Sequence, residues 1–354
     1  MNTQDYSDKD KISISDQKSD EAVKFFDAGD FEGTIKLCNE AIDLNPNNVY
    51  AYSMLGSAYA SLKQYDLALQ SYDKALEIEP AYSSVYFNRS LIYSELQQYD
   101  LAIQDYGNAI RYNPHFKEAY VNRGNIYFRL KKYQAAFEDF NRAIDNDFKD
   151  VLAHVGRGNT YAVLEKYELS LKDFSKAIEL DPNYDNSYIG RGMVYLKTGK
   201  YDAALEDFDK AIELNPNNFF AYLNRGRVYS QKNKFKLAVK DFFDAIELDP
   251  DSDDAYFFRG CAFCELKQYE PATADFEKVI KLNPDYPSVY YNQGIAYYNL
   301  RKYKRSLSDF NKFIKIEPNN YKGWRMRGKC YQRLGDEKKA RADFVTARKL
   351  GWKG

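Results

Sequence analysis

Cys261-x-x-Cys264 is the one spacing in this chain that suggests chemistry on its own. Two thiols three residues apart can share a metal ion or cycle as a redox couple, but a structural zinc site takes four ligands. No second Cys-x-x-Cys and no nearby His complete the set, and four cysteines with two histidines are too few for a rich metal site. The two thiols read as side chains borne by one helix. His154 stands in a mostly aromatic column and His115 in a connecting segment. A Walker loop, a GxGxxG turn, an HExxH helix and a GxSxG elbow are all missing. The sequence therefore predicts no enzyme, no cofactor and no metal site.

The elements that must carry any function are bounded by composition. The 354 residues hold 51 Lys+Arg against 52 Asp+Glu, a net charge of −1, which excludes a uniformly basic nucleic-acid coat. With 44% hydrophobic and 29% charged residues the chain has the balance of a folded soluble protein. No apolar run approaches the length of a membrane span. The first residues, MNTQDYSDKDKISIS, lack the apolar stretch of a secretory leader, so a cytoplasmic location is expected.

Prolines recur at Pro46, Pro80, Pro114, Pro182, Pro216, Pro250, Pro284 and Pro318, every gap being 34 residues except one of twice that, with Phe148 at the missing node. Framed so that this proline is the thirty-second residue, the chain gives ten repeats starting at 15, 49, 83, 117, 151, 185, 219, 253, 287 and 321. The eighth residue is always small (Gly56, Ser90, Gly124, Gly226), as is the twentieth (Ala68, Ser170, Ala238). The eleventh is Tyr or Phe, the twenty-fourth is aromatic from Tyr72 to Phe344, and the twenty-seventh is mostly Ala. Positions four, seven, eight and eleven share one helical face, as do twenty, twenty-four and twenty-seven. The Asn-Pro or Asp-Pro step stops the second helix, because the residue before proline is pushed out of the α region. Each repeat is therefore a helical hairpin whose small residues let its two helices approach. Most of the 33 tyrosines fall in these packing columns, so they are core and not a ligand cage.

These columns resemble the tetratricopeptide repeat, whose pattern W-x2-L-G-x2-Y…A-x3-F…P is matched by Tyr52, Leu55, Gly56, Tyr59, Ala68, Tyr72, Ala75 and Pro80, with Trp324 at the first aromatic of the last repeat. The resemblance covers residues 15–354. It implies an all-α, right-handed superhelical solenoid of about ten helix-turn-helix units, in which the first helices line a concave channel that holds protein partners. Chaperone-binding members use a two-carboxylate clamp spread over three successive repeats. No three consecutive repeats here reproduce it, so that function is not carried over.

One column departs from the family. Position seven, usually Leu, is Arg in seven repeats (Arg89, Arg123, Arg157, Arg191, Arg225, Arg259, Arg327), and position twenty-three is Asp from Asp105 to Asp343. Where Leu55 replaces Arg, Ser71 replaces Asp. Matched within a repeat, every arginine has its aspartate, which predicts intra-hairpin ion pairs between the helices. Repeat nine keeps Asp309 opposite Gln293, which can still donate a hydrogen bond.

On the expected ligand-facing side, position six holds Asn88, Asn122, Asn224 and Asn292, and position nine adds Asn125 and Asn159. Asparagine disfavours helix interiors. An amide that donates and accepts suits the backbone of an extended peptide, or equally a neighbouring helix. The row resembles the asparagine ladder of O-linked N-acetylglucosamine transferases, interrupted here by Met54, Gly156, Gly190, Phe258 and Met326. Apolar residues at position five (Phe87, Val121, Ile189, Leu223, Tyr291) can form pockets beside it or pack on the next repeat. Residues 1–50 carry net −6 and residues 301–354 net +12. Lys322, Arg325, Lys329 and Arg333 lie on one helical face and would attract an acidic peptide or carboxylate.

Lys18, Glu21 and Glu337 place polar groups in the columns of the end repeats, as caps do, and residues 1–14 are expected to be disordered. The expectation is a non-catalytic scaffold that binds a peptide segment of a partner protein through these Asn and basic residues. Its rivals are a nucleic-acid-binding solenoid, disfavoured because repeats two to eight are not basic, and a docking or regulatory subunit of an enzyme encoded elsewhere.

Overall fold

The computed structural model describes residues 7–353, and among them all regular structure is helical. The chain divides into two compact units, Met1–Leu180 and Asp181–Gly354. The first contains α1 (Asp8–Asp27), α2 (Phe31–Leu44), α3 (Val49–Ser61), α4 (Tyr65–Ile78), α5 (Ser83–Glu95), α6 (Tyr99–Tyr112), α7 (Lys117–Arg129), α8 (Tyr133–Asn146), α9 (Val151–Val163) and α10 (Tyr167–Leu180). The second contains α11 (Asp185–Lys197), α12 (Tyr201–Leu214), α13 (Phe219–Gln231), α14 (Phe235–Leu248), α15 (Asp253–Glu265), α16 (Tyr269–Leu282), α17 (Pro287–Asn299), α18 (Tyr303–Ile316), α19 (Tyr321–Arg333) and α20 (Glu337–Lys349). Consecutive helices pair as hairpins one to ten, and within each unit the second helix of one hairpin packs on the first helix of the next. The chain is thus an all-α solenoid of helix-turn-helix units.

Each hairpin turn is a Schellman close. In hairpin four the Lys132 N–H donates to the Tyr127 carbonyl at 2.8 Å and the Lys131 N–H to Phe128 at 2.9 Å, which puts Lys131 in the left-handed region at φ 59°. Gly29, Gly199 and Gly335 occupy the same place at positive φ in other hairpins, and there the missing Cβ removes the steric cost.

The core is the twenty-fourth column. Tyr72 and Tyr106 are 1% exposed, and Phe140, Phe174, Phe208, Phe242, Phe276 and Phe310 are fully buried, flanked by buried alanines such as Ala238 and Ala245. Burying each such ring stabilises by about 1.5–3 kcal/mol. The small eighth residue is what admits it: a Cβ placed on Gly226 would lie 2.7 Å from the Phe242 ring. In the last hairpin the ring of Phe344 is half-buried and Trp352 lies 5.7 Å away. The aromatic at position four supplies a polar tip as well as a ring. The Tyr188 and Tyr290 hydroxyls and Trp324 Nε1 donate to the Pro182, Pro284 and Pro318 carbonyls, at 3.1, 2.8 and 2.8 Å.

The N-terminus corrects one expectation. Residues 8–14, expected to be disordered, belong to α1; residues 1–6 lie outside the described residues. Ser7 and Asp10 form a capping box, and Asp8 and Asp10 in the first turn complement the helix dipole. Ser15 and Ser19, one turn further on, are buried and receive the Asn48 amide at 2.9 and 3.0 Å.

Candidate functional site

All seven arginines of position seven pair with the aspartate of their own hairpin. Nε donates to Oδ2 at 2.7–2.9 Å and Nη2 to Oδ1 at 2.7–2.8 Å, a bidentate fork repeated from Arg89–Asp105 to Arg327–Asp343. The arginine side chains keep 12–22% of their surface and the aspartates 3–7%. The third nitrogen reaches backwards to position twenty-five of the preceding hairpin. Nη1 donates to Asp73 from Arg89, to Asn141 from Arg157, to Asp209 from Arg225 and to Asn311 from Arg327. Where that position is Phe243, the Arg259 guanidinium lies over its ring at 5.3 Å. The row is an element of packing, within hairpins and between neighbours.

Hairpin nine departs from the expected contact. Gln293 does not donate to Asp309; its amide nitrogen lies 3.4 Å from the Thr273 carbonyl. Asp309 Oδ2 is buried with no hydrogen-bond partner among the described residues. Burial pushes this carboxyl up to about 7, opposed by Lys312 and reinforced by Glu277. In hairpin five the opposite holds. Burial works to raise the Asp173 carboxyl, but hydrogen bonds from Arg157 and His154 outweigh it and hold the group below its ordinary range. His154 faces Asp173 at 3.2 Å and the Phe148 carbonyl at 3.0 Å, filling the polar-tip role of position four.

Cys261 and Cys264 are free thiols in α15, each pushed up to about 12 by burial, which suppresses the thiolate that metal binding or redox exchange needs. Among the described residues no three His, Cys, Asp or Glu side chains are grouped to hold an ion.

The predicted amide row is not uniform. Position six sits over the twenty-fourth ring of the preceding hairpin. A Cβ on Gly156 would lie 2.3 Å from Phe140, and the Phe258 and Phe242 rings stack at 6.0 Å. Asn224, 2% exposed, donates to the Phe220 carbonyl at 2.8 Å and accepts from Arg227, so its amide is committed to its own helix. Asn292 donates likewise to Ser288 at 2.9 Å. Asn88, Asn122 and Asn159 are half-buried and Asn125 is exposed; none has a hydrogen-bond partner among the described residues. At position five, Val121, Ile189 and Leu223 are buried, while Phe87 and Tyr291 pack on Phe116 and Phe313 at 4.6 and 5.2 Å. This column is core.

Asn88 lines a cavity of about 450 Å³ with Phe26, Ser57, Tyr65, Tyr72, Leu91 and Glu95. Its floor is polar, because the Ser57 and Tyr72 hydroxyls lie 3.0 Å apart, and its wall carries the exposed Leu91. In the second unit the basic residues of α19 differ in exposure. Lys322 and Arg333 are exposed and Lys329 is half-buried. Arg325 lies over Trp352 at 5.5 Å with Nε buried and without a hydrogen-bond partner among the described residues. Arg333 Nε donates to the Tyr298 hydroxyl at 3.2 Å. A cluster that the sequence reading passed over is Arg301, Lys302, Lys304 and Arg305, which with Tyr303 and Leu334 line a cavity of about 300 Å³ at the start of α18. Four cations in five residues were the available signal.

Stacked hairpins of fixed length with small residues at the helix crossings define a helical-repeat protein, built on nearest-neighbour contacts. The tetratricopeptide repeat family matches residues 49–82, 151–184, 186–218 and 219–252, and further models of that repeat match 87–151, 260–300 and 287–320. The chain belongs to the tetratricopeptide repeat family, a membership that supports a protein–protein interaction scaffold. Human tetratricopeptide repeat protein 28 is similar over 63 residues at 36% identity, 18% of this chain and 2% of that protein. Human serine/threonine-protein phosphatase 5 is similar over 79 residues at 31% identity, 22% of this chain and 16% of that protein. The matched segments thus span only small parts of these relatives. A tetratricopeptide repeat protein structure from Parabacteroides merdae shares the fold, with TM-score 0.56 at 24% identity over 71% of this chain and 99% of that one. Among the described residues no helix is long and apolar enough to cross a membrane.

Proposed function

We propose that this chain is a non-catalytic scaffold that binds a peptide segment of a partner protein on the face of its first helices. The observation that carries this reading is the cavity between α3 and α5. It joins an amide without a hydrogen-bond partner among the described residues (Asn88), an exposed apolar wall (Leu91) and a hydroxyl floor, the mixture that takes a peptide backbone together with one apolar side chain. Asn122, Asn125 and Asn159 continue the supply of amides through hairpins four and five. Asn224 and Asn292 are spent within their helices and play a smaller part. In the second unit Lys322, Lys329 and Arg333, with Arg325 behind them and the Arg301–Arg305 cluster nearby, favour a partner segment rich in Asp and Glu.

The test is binding of a peptide library to the full chain, compared with Asn88→Ala and Leu91→Glu. Selected peptides should bind each variant about tenfold more weakly, the weight of one well-made contact, while the melting temperature stays near that of the parent. Unchanged affinity in both variants would reject the cavity as the binding place. Peptides selected through the second unit should weaken with salt and with Lys322→Glu.

A further inference from the structure

The guanidinium row has a chemical logic that hairpin nine breaks. In hairpin three the Arg89 guanidinium is held between two carboxylates, Asp105 through Nε and Nη2 and Asp73 through Nη1, and it lies 5.6 and 5.9 Å from the Tyr86 and Tyr93 rings. Hairpin seven repeats the arrangement with Asp241, Asp209 and Tyr222 around Arg225. The corresponding places hold Asp309, Tyr290 and Tyr297 of hairpin nine and Glu277 of hairpin eight. The donor is replaced by Gln293, whose amide turns to Thr273. The two carboxylates that elsewhere hold one guanidinium therefore bond none among the described residues; of the two rings, Tyr297 has only the Arg305 guanidinium over its face at 5.6 Å.

We propose that Asp309, Glu277, Tyr290 and Tyr297 form a receptor for one arginine side chain of a partner protein. This goes beyond the peptide face, whose residues it does not use. Asp309 is more than nine-tenths buried and its Oδ2 has no hydrogen-bond partner among the described residues, so a donor here satisfies an atom that otherwise stays orphaned. Glu277 is exposed and accepts the Tyr297 hydroxyl at 2.7 Å, which leaves its other oxygen for the outer nitrogen of the guest. In the other hairpins the position-twenty-five acid is likewise open to solvent, Asp73 by 53% and Asp209 by 56%, which marks the side from which the guest enters.

The site selects a guanidinium over an ammonium. Only the planar fork bonds a carboxylate twice and stacks between rings. The Lys312 ammonium lies over Tyr290 at 5.1 Å without bonding Asp309, and the Arg305 guanidinium lies over Tyr297 at 5.6 Å. Because burial places the Asp309 carboxyl at about 7, uptake should strengthen as pH rises through neutrality and that group ionises.

The experiment is a thermal-shift titration of the full chain with N-acetylarginine amide, beside the lysine and citrulline analogues at equal ionic strength, above pH 7. The arginine compound should raise the melting temperature with the logarithm of its concentration, and the analogues should not. Gln293→Arg should raise the melting temperature without ligand and abolish the response, and Asp309→Asn should weaken apparent binding about tenfold. Free arginine, whose carboxylate faces two acids, should bind more weakly than the amide; the reverse order would overturn assignment to a protein partner. A response of equal size in the parent, Gln293→Arg and Asp309→Asn would overturn the receptor, as would no response in the parent. Should Gln293→Arg not fold, the isosteric Asp309→Asn carries the test alone.

Discussion

Gln293 donates to the carbonyl of Thr273 in the preceding hairpin and not to Asp309 in its own. One amide replaces one guanidinium, and the consequences reach beyond that contact: hairpin nine loses both the fork that closes its two helices and the charge that compensates its aspartate.

The pH dependence of stability should carry this signature. Asp309 stands at about 7 in the folded chain, against about 3.9 when unfolded. Between these values the folded state holds a proton that the unfolded state has released. The unfolding free energy therefore falls as pH rises through that window and levels off above it, a loss of about 4 kcal/mol from this group. Asp309→Asn should remove that part of the slope and be the more stable form above neutrality. Urea titrations at a series of pH values would read it, and parallel curves for the two proteins would contradict the assignment.

The intact pairs should differ from one another in a defined order. Asp139→Ala leaves the Arg123 guanidinium buried opposite Gly107, with no acceptor at the preceding position twenty-five, and should cost about 3–5 kcal/mol. Asp241→Ala should cost less, because Arg225 retains Asp209. Denaturant midpoints of the two variants decide; equal losses would mean that the backward bond has no weight.

Glycines of the eighth column should tolerate a methyl group according to the room each has. A Cβ on Gly226 would meet Phe242 at 2.7 Å, whereas on Gly158 it would meet Phe174 at 3.2 Å. Gly226→Ala should lose about 1–3 kcal/mol through overpacking. At Gly158 the gain in helix propensity, about 1 kcal/mol, should offset most of the crowding. Circular-dichroism melts of the pair would show it, and the opposite ranking would speak against the crossing geometry.

The hairpins and their ion pairs were legible because both follow from residues at constant spacing within one repeat. The Arg123–Asp139 match needs only that position seven meet position twenty-three. What was not legible depends on how far apart successive hairpins stand. Position six was read as facing a ligand, yet Gly156 and Phe258 show it lying over the preceding ring, so Asn224 is buried while Asn122 is not. Periodicity fixes the direction of a side chain to within part of a helical turn and leaves open what stands before it. The cavity beside Asn88 needs Phe26, Tyr72 and Leu91 from three hairpins, and no single repeat contains it. For Gln293 the sequence offered only Asp309 as acceptor, and the Thr273 carbonyl of the preceding hairpin takes the amide instead. The early start of α1 was signalled by Ser7 and Asp10, a cap overlooked among polar residues.

The backward bond from Nη1 is present at some junctions and not at others: Arg89 to Asp73 and Arg157 to Asn141 have it, whereas Arg123 faces Gly107. A solenoid with identical junctions would behave as a uniform one-dimensional lattice, fraying from its ends by equal steps. Unequal coupling breaks that lattice into blocks, with hairpins three and four meeting at a weaker seam. Amide exchange should then proceed block by block, and a force drawn along the chain should part it first at that seam.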